Sequence, residues 1–121
     1  MAYTAIDDPS AYFKVQLYTG NGTDDTGIVF DDTDTNMQPD FVWIKDRDGT
    51  NLPIVFDAVR GATKEMNTNQ TQAEQTKTDT LQSFDSDGFT LGDRGVVNEN
   101  TTKFVAWCWK GGTTGSGTTT G

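Results

Sequence analysis

Histidine is absent from this sequence of 121 residues. Its absence removes the commonest general base, the usual zinc ligand and the side chain that titrates near neutral pH. Serine catalysis is thereby left without its base. Cysteine occurs once, at Cys108, so no disulfide can close within the chain. The surrounding AWCWK reads as an apolar run, with Cys108 as a small buried hydrophobe in it. Positive charge is scarce, with 9 Lys and Arg against 18 Asp and Glu, for a net charge of −9. That excess of acid would repel a phosphate backbone, whose binding needs clustered Lys and Arg where these are scattered, so no nucleic-acid partner is expected. Long hydrophobic runs are missing as well. No stretch approaches the ~20 apolar residues of a membrane-spanning helix, so no membrane partner is expected. The start, MAYTAIDDPS, has neither a charged nor an apolar region of the secretory kind, so no signal peptide is read and synthesis in a cytoplasm is expected. No Gly-rich phosphate loop precedes a helix.

What is present points to strands. Threonine occurs 21 times and glycine 13, against only 4 leucines. Threonine is β-branched and packs well on a pleated surface. The apolar runs are short and broken by Gly, Asp and Asn, as in a chain of many short strands. Residues 11–18 alternate, with Phe13, Val15 and Leu17 on one face. Residues 27–30 follow a turn signal at Asn21-Gly22. Residues 41–45, 53–59 and 103–109 are apolar on both faces, as strands inside a sandwich are. Residues 80–84 and 88–91 flank a DSDG turn. Residues 62–79 read mostly as loop, with an edge strand near 62–67 and the composition of a short helix at 72–77. The last residues, GGTTGSGTTTG, have the composition of a linker or tail.

Two Asp-x-Asp-Gly stretches, DRDG at 46–49 and DSDG at 85–88, raise the question of calcium. An EF-hand needs oxygen ligands at its first positions, Gly at the sixth and Glu at the twelfth. With Gly88 sixth, Ser83 stands first and Arg94 twelfth; with Gly49 sixth, Ile44 stands first and Val55 twelfth. Both loops fail at their ends. A type I hairpin turn, with Gly in a left-handed bulge position, gives each residue a local job without metal. No cofactor or metal is therefore expected. The residues left for a calcium site built from separate loops are Asp31, Asp32, Asp34, Asp85 and Asp87. A paired-carboxylate glycosidase fits poorly, because every acidic cluster lies at a turn or strand end and none in an apolar pocket.

The tryptophans are the other feature of interest. Val105, Trp107 and Trp109 share one face of their strand, while Phe104, Ala106 and Cys108 share the other. Phe41 and Trp43 also share a face. Large aromatics are mostly buried, so most of these rings are expected to fill the core. Exposed, Trp43, Trp107 and Trp109 would be contacts for a protein partner or a glycan, and Trp109, at a strand end, is the one expected to be exposed.

PDFVWIKDRDGT, FDAVRGATKEMNTN, LQSFDSDGFTLG and VAWCWKGG occur in that order. Together they resemble a domain repeated across marine bacteriophage genomes, in large structural or tail proteins. The resemblance covers about Ala2 to Gly112. It implies an antiparallel β-sandwich of jelly-roll, concanavalin-like or laminin-G-like type over residues 1–112, with 113–121 as a tail or linker. It brings no catalytic or metal residue with it. The function it implies is that of a non-enzymatic structural component of a virion, on the capsid exterior or the tail, held by other virion proteins in a symmetric assembly. The alternative is a module binding host-surface glycans, assisted by calcium.

Overall fold

The computed structural model describes residues 8–111, and nine strands carry most of their regular structure. They are β1 (Phe13–Thr19), β2 (Thr26–Val29), β3 (Phe41–Asp46), β4 (Ile54–Asp57), β5 (Lys64–Asn67), β6 (Gln75–Thr76), β7 (Leu81–Asp85), β8 (Gly88–Leu91) and β9 (Lys103–Trp109). A single 3-10 turn (Pro9–Ala11) leads in, and one short helix, α1 (Gly95–Asn98), precedes β9. Six strands form one antiparallel sheet in the order β1-β9-β3-β4-β5-β6, and three form the other in the order β2-β8-β7. The protein is an all-β antiparallel sandwich. The expected tail at 113–121 lies outside the described residues.

Period-two alternation decides what fills the space between the sheets. Val42 and Ile44 of β3, Ile54 and Phe56 of β4, and Phe104, Ala106 and Cys108 of β9 are fully buried. They meet Ile28, Leu81, Phe89 and Leu91 of the smaller sheet, with Phe30, Met37 and Val97 closing the edges. Burial pushes the Cys108 thiol up to about 12, which suits a packing residue and not a nucleophile.

Several turns differ from their sequence reading. Asn21-Gly22 does not close a hairpin, because β1 and β2 lie in different sheets. The chain crosses between sheets there, and buried Asn98 holds it in place. Asn98 Oδ1 accepts from the Asn21 N–H at 2.9 Å, and Asn98 Nδ2 donates to the carbonyls of Thr23 and Gly92, each at 3.0 Å. DRDG is likewise not a tight turn. The Asp46 side chain is buried and accepts from the Asn51 N–H at 3.0 Å, folding residues 47–51 around itself. Gly49 has no side chain because the Asp46 carboxylate occupies that space. DSDG does close a hairpin, with Asp85 opposite Gly88. The bulge lies elsewhere, where the register slips between Leu81 and Ser83. Residues 64–67 form a strand near the expected place, and Gln75–Thr76 pairs as a short strand within a stretch that reads mostly as loop.

Candidate functional site

The strand pairings lay the outward side chains of the larger sheet in rows. One row runs Phe13, Trp109, Phe41, Asp57; the next runs Val15, Trp107, Trp43, Val55, Met66; the third runs Leu17, Val105, Lys45. All three tryptophans therefore sit on the outer face. The expectation that most of these rings fill the core is overturned. The core face of β9 is taken by the smaller Phe104, Ala106 and Cys108, which leave room for the opposing sheet. Trp43 and Trp107 are half-buried by their neighbours, and Trp109 is 38% exposed, as its place at the strand end suggested. Phe13, Val15 and Leu17 are 38, 48 and 52% exposed.

The rings pack on one another. Trp43 and Trp107 have centroids 5.4 Å apart and are tilted by 54°. Trp109 lies 5.0 Å from Phe13 at 49° and 5.3 Å from Phe41 at 70°. These are the tilted and edge-to-face contacts that aromatic quadrupoles favour. The Trp43 indole N–H is covered with no acceptor among the described residues, so packing alone places that ring.

β1 turns the apolar face outward because its inward face has a polar task. Lys14 and Gln16 are 4 and 5% exposed. The Lys14 ammonium donates to the carbonyls of Asp32 (3.1 Å) and Thr35, and sits 3.9 Å from carboxylate oxygens of both Asp32 and Asp87. Its charge also lies 5.5 Å from the centre of the Phe30 ring. Gln16 pairs with Asp31 twice, Nε2 to Oδ2 at 2.9 Å and the Asp31 N–H to Oε1 at 2.8 Å. The loop between β2 and β3 thus has its oxygens satisfied by two side chains of β1, as buried polar groups require.

The acids singled out for calcium have other partners. Asp32 and Asp87 face the Lys14 ammonium, which occupies the position of a cation, and Asp87 also accepts from the Met37 N–H at 3.0 Å. Asp31 is engaged by Gln16. Asp85 accepts from Ser83 and Thr90 within its own hairpin, each at 2.7 Å. Asp34 is exposed, its backbone N–H donating to Asp32. Among the described residues no three acidic side chains gather as a metal site would require. Thermal melting in excess EDTA is expected to superimpose on melting with added calcium. A Tm that rises with calcium alone would overturn this, since a ligand bound only to the native state stabilises it.

Sequence reasoning grouped Trp107 with Trp109 and Phe41 with Trp43, but missed that β1 extends their surface. The signal was FKVQL, whose alternation places Lys14 and Gln16 opposite three apolar residues. It does not say which face is inward; only the oxygens of the loop beside Lys14 decide that.

A family model described as a domain of unknown function, DUF7483, matches residues 8–121. The chain belongs to this family. No curated protein and no solved structure matches it. Within this DUF7483 domain, Asp8 accepts from the Thr35 hydroxyl at 2.6 Å, tying the start of the match to the β2–β3 loop.

Proposed function

We propose that this domain is a non-catalytic building block that assembles by protein–protein contact through the outer face of its six-stranded sheet, within a phage virion. The observation that carries the reading is β1. A strand that buries Lys14 and Gln16 while exposing Phe13, Val15 and Leu17 leaves an apolar surface that another surface must cover. The virion setting is supported by the resemblance of the motifs. The net charge of −9 repels copies of the chain from each other, except where the surface is uncharged. The two rows centred on Trp109 and Trp107 carry a single charged side chain, Asp57.

A second copy of the domain suits this face. Two sheets facing each other at ~10 Å can be related by a two-fold axis running along the Val15–Trp107–Trp43 row. That axis exchanges the outer rows and sets Lys45 of each copy over Phe41 of the other, one strand away from its Asp57. Five strands at ~4.8 Å spacing and about 20 Å long offer roughly 400 Å² per copy. The total of about 800 Å² is below what holds a stable pair by itself, so the contact suits one repeated around a symmetric assembly.

The glycan alternative draws less support here. Sugar rings stack on open ring faces, whereas these rings are tilted into one another by 49 to 70°. Sedimentation of the isolated chain across a range of concentrations tests the proposal. Wild type should associate as concentration rises, while Trp107→Asp should remain monomeric with its Tm lowered by only a few degrees. A wild-type chain that stays monomeric throughout would defeat the proposal.

A further inference from the structure

A cleft of about 310 Å³ lies at the β5–β6 end of the larger sheet, on its inner side. Its walls come from the β3–β4 loop, β4, β5, the β5–β6 connection and the start of α1. Glu65 is one of the lining residues. It is 6% exposed, and its Oε2 is buried with no hydrogen-bond partner among the described residues. An acceptor in that position is costly unless something donates to it, because its water has been removed and nothing has replaced it. Burial raises the Glu65 pKa, Arg94 and Lys77 pull it down, and Asp79 pushes it up.

The other polar lining residues include Arg94 and the amides of Asn51, Asn67, Gln72 and Gln75. Leu52, Ile54 and Val96 supply apolar wall. Charge narrows the class of ligand. A cation would meet Arg94, which pairs with Asp79 at 3.6 Å; an anion would meet Glu65. A neutral donor faces neither penalty. Each carboxamide both donates and accepts, as each hydroxyl of a sugar does. Apolar wall suits the C–H face of a pyranose ring. The volume lies at the small end of ligand pockets, enough for one ring and not for a long chain.

We infer that this cleft binds a neutral monosaccharide unit, with Glu65 accepting from a ring hydroxyl, the amides engaging its neighbours and Leu52 and Val96 lying against its C–H face. The inference is independent of the outer sheet face, which lies on the other side of β5. It moves any glycan contact away from the tryptophans.

The test is a titration of the isotopically labelled chain with methyl glycosides of glucose, galactose, mannose and N-acetylglucosamine, followed by amide chemical shifts. Concentrations should reach about 20 mM, enough to detect binding in the millimolar range. At least one glycoside should give saturable shifts at Asn51, Asn67, Gln75 and Val96, with Trp107 unmoved. Glu65→Gln should weaken that binding about tenfold, by replacing a charged acceptor with a neutral one. If Glu65→Gln loses its dispersed spectrum, Gln72→Ala, on an exposed stretch, should still weaken binding several-fold. No saturable shift with any of the four sugars would overturn the inference, as would shifts centred on the tryptophan face or unchanged affinity in the folded variants.

Discussion

Gly88→Ala is expected to destabilise the fold by about 3 kcal/mol, the combined effect of an unfavourable backbone angle and an overpacked contact. Gly88 has φ +155°, which residues with a side chain rarely adopt. The angle is only part of the cause. A Cβ on Gly88 would run into the Ile28 backbone carbonyl and stand 3.1 Å from the Val29 Cα. Both atoms belong to β2, which pairs with β8 through Val29 opposite Gly88. Backbone cannot rotate away as a flexible side chain can, so β2 itself would have to shift. Ser86→Ala, at the exposed hairpin tip, should change stability by less than ~0.5 kcal/mol. Urea unfolding of both variants checks this. Equal midpoints would mean that the β2–β8 pairing does not depend on the missing side chain.

Asn98→Ala should cost about 3–4 kcal/mol, since it removes a fully buried side chain with four hydrogen bonds, to Asn21 (two), Thr23 and Gly92. The alanine variant leaves the Gly92 carbonyl and the Asn21 N–H without those partners. Asn98→Asp restores only the bond from the Asn21 N–H. It loses the donations of the amide and places a carboxyl where there is no exposure, so its rescue should be slight. Denaturant titration of the two variants separates the contributions. An aspartate variant as stable as wild type would show that the amide donors matter little.

How far the sequence discloses this molecule depends on which atoms decide each feature. Strand positions are local, and 41–45, 88–91 and 103–109 were readable because apolar runs ended at Gly, Asp or Asn. The DSDG hairpin was readable for the same reason. The role of Gly88 was not, because the atoms that require glycine belong to Ile28 and Val29, some sixty residues earlier in the chain. Asn21-Gly22 carried the dipeptide of a hairpin, but its geometry is set by Asn98, from the far end of the sequence. The outer face was half readable. Trp107 and Trp109 could be grouped by counting in twos, but their direction depended on which face of β1 met the oxygens of Asp32 and Thr35. Glu65 gave no signal at all, lying in a stretch that reads as polar loop. Only the missing donor at its buried oxygen marks it.

The pairing of β1 with β9 has a consequence for how the chain reaches this state. Phe13 lies opposite Trp109, so the first described strand waits for the last. Closing so long a loop costs entropy before any contact rewards it, and chains dominated by such pairings fold slowly. Until β1 arrives, β9 has an open edge beside its tryptophans, a template for strands of other chains. A nascent chain must keep β1 unoccupied until residues 103–109 emerge. Refolding yield should therefore fall with protein concentration more steeply than native stability would suggest. A separate peptide of residues 8–20, added in excess during refolding, should compete for the same edge.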